Sequence, residues 1–215
     1  TGSYQVPDEA EIQALLPLVD YRKIQYDAAD GDVTLPEGMK IDLGSVAKGY
    51  AGQLVAQMLR DNGVESALLS LGGNVQTVGS KIDGTPWKVG IKDPQSSDVM
   101  MVLQVQDQAV VTSGGYERYF EQDGVRYHHI FDPETGYPAA SGLRSVTVID
   151  ENSTRADALT TALFVMGADK GRAYCEKNGI AAVFITSDRQ VFTTEKVSEL
   201  CSFSFTGEDK GYTYA

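Results

Sequence analysis

Apolar positions along the chain change period several times, and each change marks an element. After Pro7-Asp8-Glu9, Ile12, Leu15, Leu16 and Val19 recur at helical spacing, which predicts a helix over 8–19. Residues 21–26 read as a strand, Asp30-Gly31-Asp32 as a turn, and 33–43 as further extended chain. Near residue 45 the period becomes helical and runs through Gln53 to Arg60, with Asn62-Gly63 as the stop. A short apolar strand over 67–71 is broken by Gly72-Gly73-Asn74 and resumes over 75–78. Residues 87–92 form another strand, closed by Asp93-Pro94. Residues 99–105 and 109–112 read as a hairpin pair that ends at Ser113-Gly114-Gly115. Residues 116–127 form a second hairpin, with Asp123-Gly124 as its turn. A strand over 144–149 is followed by a helix capped by Ser153, running to about Met166 and stopped by Gly167. A second helix covers 169–178. Residues 181–186 and 190–194 make a last hairpin around Asp188-Arg189, and the final residues read as neither helix nor strand.

Strands outnumber helices and many are neighbours in the chain, so the pattern predicts an α+β fold with a mostly antiparallel sheet and packed helices. At 215 residues the chain can bury a core as one domain or at most two. A 42% apolar content with 11 Tyr and 7 Phe places it among globular proteins. The net charge of -12 argues against nucleic acid as a partner, because phosphate backbones need a basic surface. Cys175 and Cys201 are far apart in sequence; a disulfide stays open, but separate buried thiols are the commoner arrangement. No apolar run approaches the length of a membrane span, and no signal peptide is visible. The chain begins at Thr1 without Met and enters a helix almost at once, as a processed or truncated piece of something longer would.

The candidate chemistry lies where strands end. His128-His129-Ile130-Phe131-Asp132-Pro133-Glu134-Thr135-Gly136 carries both histidines of the chain into a tight polar loop. A histidine ahead of an Asp-Pro turn reads equally well as a hydrogen-bonded strand end. His128 points away from His129 if the strand continues, so only His129 is a candidate. At Gly44-Ser45-Val46-Ala47-Lys48-Gly49 a strand runs into a helix, and free N–H groups with Lys48 suit a phosphate, although the P-loop spacing is absent. Gly72-Gly73 permits close approach of a flat ligand or merely a bulge. Thr112-Ser113-Gly114 suits hydrogen bonds to phosphate, or is an ordinary Ser-Gly turn. Asp157 and Thr161 share one face of a helix that is otherwise apolar. A carboxylate there needs a partner, and a hard divalent cation is one; a first-turn helix charge is the alternative.

In this order, the segments Ile41-Asp42-Leu43-Gly44-Ser45-Val46-Ala47-Lys48-Gly49-Tyr50-Ala51, Leu71-Gly72-Gly73-Asn74, Trp87-Lys88-Val89-Gly90-Ile91 with Asp93-Pro94, Thr112-Ser113-Gly114, His129-Ile130-Phe131-Asp132-Pro133 and Ala156-Asp157-Ala158 with Thr161-Ala162-Leu163 resemble the ApbE family of FAD:protein FMN transferases. The resemblance implies a single T-fold-like domain over 1–215 that lacks the family's N-terminal portion, on the order of 100 residues. It implies a transferase of a phosphorus-containing group that uses Mg2+, takes FAD as substrate and moves FMN to a Thr or Ser hydroxyl of an acceptor protein, releasing AMP. The acceptor would be a subunit of a membrane redox complex, on the extracytoplasmic face of the cell envelope. Hydrolysis of FAD to FMN and AMP, or FAD binding without chemistry, are the alternatives. Carried onto this chain, Asp157, Thr161 and the Ala47 carbonyl would hold the metal. Lys48 would lie along the pyrophosphate, and Gly72, Gly73, Thr112, Ser113 and Gly114 would line the nucleotide pocket. His129 would take the acceptor's proton, with Asp132 orienting it or simply forming the turn. A chain without the N-terminal portion implies a pocket open on one side.

Overall fold

The computed structural model describes residues 4–215. Its first part, residues 4–46, has little regular structure. Helix α1 (Glu9–Leu15) starts where Glu11 reaches back to accept the Asp8 N–H at 3.3 Å. It is shorter than the apolar spacing predicts. Pro17 lacks an N–H and bars a further α-turn, so the chain tightens into a 3-10 turn over Leu16–Leu18. The strand expected over 21–26 is mostly absent. Asp20 accepts the Arg22 N–H and winds Tyr21–Lys23 into another 3-10 turn, leaving only β1 (Gln25–Tyr26). That strand pairs with β2 (Val33–Thr34), and residues 35–43, expected to be extended, have no ladder to join.

Helix α2 (Ala47–Asp61) is followed by β3 (Ala67–Ser70), β4 (Asn74–Val78), β5 (Trp87–Lys92), β6 (Val99–Val105) and β7 (Ala109–Gly114). Hairpin β8 (Tyr119–Gln122) and β9 (Val125–His128) comes next, then β10 (Leu143–Asp150), α3 (Ser153–Met166), α4 (Ala168–Asn178), β11 (Ala181–Thr186) and β12 (Gln190–Thr193). The chain closes with α5 (Glu195–Leu200), β13 (Ser202–Phe205) and β14 (Thr213–Tyr214). A seven-stranded sheet in the order β14-β12-β11-β10-β7-β4-β3 is the centre, and only its β12–β14 pair is parallel. A three-stranded sheet β13-β6-β5 covers one face, and α3 and α4 pack on the other. Both faces being covered explains why β10 and β11 read as nearly continuous apolar runs. Val146, Val148, Ala182 and Phe184 point into the helical core, while Ile149, Val183 and Ile185 point into the sheet-on-sheet core.

Two expectations are corrected here. The strands at 99–105 and 109–114 are not a hairpin: β6 pairs with β5 and β13, and β7 with β10 and β4. The chain crosses from one sheet to the other at Asp107, whose φ of 52° turns it. Helix α3 is capped by Asn152, which accepts the Arg155 N–H, and Ser153 is the first helical residue, fully buried. Asp123 and Gly124 carry φ of 53° and 77°, as the Asp-Gly turn of β8–β9 requires. Cys175 and Cys201 are free and buried in different clusters; burial pushes the Cys175 thiol up to about 12. Among the described residues no helix is long and apolar enough to cross a membrane.

Candidate functional site

The site begins where α2 crosses α3. A Cβ at Gly49 would stand 2.3 Å from the Ser153 carbonyl oxygen and 2.7 Å from Asp157 Cβ, so the crossing needs a glycine on α2. The close approach lets the Gly49 N–H, in the first turn of α2, donate to Asp157 Oδ2 at 2.8 Å. Asp157 is 3% exposed. Its burial raises the carboxyl pKa, and neither the Gly49 N–H nor the positive charge of Lys48 reverses the shift. Around the crossing, Gln53 accepts the Ser153 N–H and Asn74 accepts the Ser153 hydroxyl, which ties α2, α3 and the start of β4 together.

The end of β7 meets the same helix face. The Thr160 hydroxyl donates to the Asp157 carbonyl at 2.8 Å, so Ser113 must donate its own hydroxyl to Thr160 Oγ1, also at 2.8 Å. Thr161 Oγ1 lies 3.5 Å from Ser113 Oγ. Lys48 donates to the Gly72 carbonyl at 2.9 Å, and the Thr112 N–H donates to the Gly73 carbonyl. The glycine turn before β4 is therefore bound on one side to α2 and on the other to β7. Gly72 and Gly73 have φ of 54° and 88°, the left-handed region in which a glycine is the ready fit. The Thr112 side chain is engaged elsewhere, sharing a hydrogen bond with Thr147. Gly114 is buried beneath the Tyr116 ring, which leaves no room for a side chain. Ala47 opens α2, two residues before Gly49, and is exposed.

His129 stands at the end of the β8–β9 hairpin. Its N–H and its Nδ1 both approach the Arg118 carbonyl, at 3.3 and 3.1 Å. A carbonyl only accepts, so Nδ1 carries a proton, and in the neutral ring the lone pair is on Nε2. The ring is exposed. Of the two roles open to Asp132, orienting the imidazole or forming the turn, the structure shows the turn: its carboxylate accepts the Glu134 N–H at 2.9 Å, and the Arg118 carbonyl holds the imidazole. Helix α1 braces this loop through Tyr137, whose hydroxyl donates to Glu9 at 2.6 Å, and through Ile12 packed against Gly136. His128 is a packing residue. Its ring meets Phe164 edge-on at 5.6 Å and lies over Gly115, its Nδ1 accepts the Ile130 N–H, and burial lowers its pKa.

Sequence reasoning overlooked Gly49, Thr160 and Asn74 as site builders. Gly49 carried a signal, since glycine in the first turn of an apolar helix is costly without a close contact. Among the described residues no three His, Cys, Asp or Glu side chains gather into a metal cluster. A cation at Asp157 would rest on one carboxylate, hydroxyl and carbonyl oxygens, and oxygens of its ligand. Ala47, Gly72, Gly73 and His129 are each exposed.

An α+β domain with an oxygen-lined helix crossing beside a two-glycine turn is the class that fold and site define. The family model described as "ApbE family" matches residues 1–184, and the chain belongs to that family. A relative from Klebsiella pneumoniae (strain 342), named FAD:protein FMN transferase, is 42% identical over 213 residues, which cover 97% of this chain and 64% of that protein. One of the same name from Treponema pallidum (strain Nichols) is 41% identical over 203 residues, 86% of this chain and 56% of that protein. The chain thus spans under two thirds of the length of these relatives. Among solved structures, the ApbE protein of Thermotoga maritima superposes with a TM-score of 0.86 at 40% identity, covering 93% of this chain and 67% of that one. Apo flavinyl transferase ApbE of Pseudomonas stutzeri gives 0.79 at 37%, covering 91% and 62%.

Proposed function

We propose that this chain carries the catalytic core of an FAD:protein FMN transferase. The carrying observation is the α2–α3 crossing, where buried Asp157, the Gly49 N–H, Ser113, Thr160 and Thr161 gather, with Lys48 joining it to the exposed Gly72-Gly73 turn. FAD presents a pyrophosphate to this crossing. Lys48 and the first turn of α2 face its charge, and Gly72 and Gly73 admit the nucleotide close to the backbone.

The residues fit a magnesium ion. Asp157 is a buried carboxylate whose charged form its surroundings under-support, and Thr161 and the Ala47 carbonyl add hard oxygen donors, the set this cation accepts. When bound, the ion neutralises phosphate charge at the reacting phosphorus. The protein's own residues do the rest. His129, with Nδ1–H held by the Arg118 carbonyl, receives on Nε2 the proton of a Thr or Ser hydroxyl of the acceptor. The hydroxyl oxygen bonds to the FMN phosphorus, the bridging P–O bond breaks, and AMP leaves. The acceptor is a subunit of a membrane redox complex on the outer side of the cell envelope. The openness of the His129 face supports a second reading, in which water takes the hydroxyl's place and FAD is hydrolysed to FMN and AMP.

Incubation with FAD, Mg2+ and an acceptor domain separates the two. A covalently fluorescent acceptor band is the expected result, and FMN and AMP formed with no flavinylated acceptor would overturn the transferase reading.

A further inference from the structure

A second cleft, of about 370 Å3, lies on the flank of the β8–β9 hairpin, lined by Pro94, Gln95, Tyr116, Tyr119, Arg126 and Arg144. In a chain of net charge -12 its lining holds two guanidinium groups and no carboxylate. Arg126 is half spoken for: it pairs with Glu121 at 3.1 Å and stacks over the Tyr119 ring at 4.0 Å. Arg144 is different. Among the described residues its side chain makes no hydrogen bond or ion pair, and its Nε is buried without an acceptor. A desolvated guanidinium donor left unpaired costs about 1–3 kcal/mol, so proteins rarely keep one without a use. The buried carboxylate beside the lining residue Pro94, that of Asp93, is already taken by the Gln95 N–H, the Ser96 hydroxyl and the Tyr212 hydroxyl.

The cleft's position indicates whose anion it receives. Tyr119 pairs across the hairpin with His128, the residue before His129, so cleft and imidazole share one small element. The residues proposed for the metal and the pyrophosphate, Asp157 and Lys48, lie instead at the α2–α3 crossing. We infer that this cleft docks an acidic side chain of the acceptor protein, its carboxylate bonded to Arg144 and its neighbouring chain lying against Tyr116 and Tyr119. Ownership by the acceptor rests on the transferase reading; carboxylate binding by the cleft does not. Because the rest of the surface is acidic, such a clamp admits an acidic segment in one register only and so selects which hydroxyl reaches His129.

A fluorescein-labelled hexaglutamate peptide and its hexaglutamine counterpart test this by anisotropy on the intact chain. The glutamate peptide binds and the glutamine peptide does not. Arg144→Gln weakens binding about tenfold, the loss expected for one charge-assisted hydrogen bond, and Arg126→Gln weakens it less because Glu121 already neutralises that group. Arg144→Met weakens the same binding at least as much and raises the melting temperature, since it removes an unpaired buried donor. The exposed Arg126 variant keeps the test open should the Arg144 variants fold poorly. Equal peptide affinity in wild type and Arg144→Gln, or displacement of the peptide by equimolar AMP or inorganic phosphate, overturns the proposal. With acceptor domain and FAD, Arg144→Gln should raise the acceptor KM and leave acceptor-independent FAD hydrolysis unchanged. If the chain proves inactive on FAD yet binds the glutamate peptide through Arg144, the transferase reading fails and the docking cleft stands.

Discussion

The two halves of the candidate site are built in opposite ways. Around Asp157 every oxygen is held by elements of the central sheet and its helices, and the bonds Gly49–Asp157, Ser153–Asn74 and Ser113–Thr160 join segments far apart in sequence. His129 sits on a two-stranded hairpin with no large sheet behind it, fixed by one carbonyl of its own hairpin and braced by α1. The difference teaches a division of labour. On the proposed function, the half that would meet a highly charged phosphate is preorganised in the core. The half that would receive a protein partner stands at the surface, where a chain can approach.

Four changes would break or sharpen that contrast. Gly49→Val should have the largest effect. Its side chain would collide with the Ser153 carbonyl, forcing α2 and α3 apart at a cost of about 3 kcal/mol or more, read as a lowered thermal midpoint. Asp157→Ala should cut FMN transfer by about a thousandfold or more, since charge neutralisation at phosphorus is worth several kcal/mol, yet leave the melting temperature unchanged or higher. A thermal midpoint that fell with activity would mean Asp157 is structural. His129→Gln should slow transfer by about 10²–10³-fold with no loss of stability, the signature of an exposed proton acceptor; unchanged kcat would remove it from the chemistry.

The smallest effect belongs to the far edge of the fold. Asp93 is buried, which by itself would raise its pKa, but hydrogen bonds from Gln95, Tyr212 and Ser96 outweigh that and leave it lowered. A lowered folded-state pKa contributes stability above the unfolded value near 3.8, lost as pH falls through the folded value. Tyr212→Phe removes one of those donors, so it should cost about 1 kcal/mol at neutral pH and start acid unfolding at a higher pH. An acid limb identical to wild type would show that Tyr212 adds nothing to Asp93.

What could be read from the sequence follows the same line. Elements specified by their own residues were legible: the Asp123-Gly124 hairpin, the buried runs at 144–149 and 181–186, and the long helix bearing Asp157 and Thr161. Elements specified by distant partners were not. Nothing local shows that 99–105 and 109–114 belong to different sheets, because each looks like a strand beside a strand; the division appears only in their partners, β5 and β13 for the first and β4 and β10 for the second. The stretch 21–43 has β-forming residues, but Asp20 offers the backbone a competing bond, and beyond the two-residue β1–β2 pair no neighbouring strand rewards extension. In the site, carboxylate and histidine stood out by chemistry alone. Gly49 and the Arg118 carbonyl act through backbone atoms, which every residue possesses.

The Gly49 amide has one further consequence. Its acceptor lies 108 residues away, on a helix that follows ten strands. No local fraying of α2 can release that proton to solvent while the crossing remains closed. Its deuterium exchange should therefore be among the slowest in the chain, set by the free energy of global unfolding rather than by motion near the site.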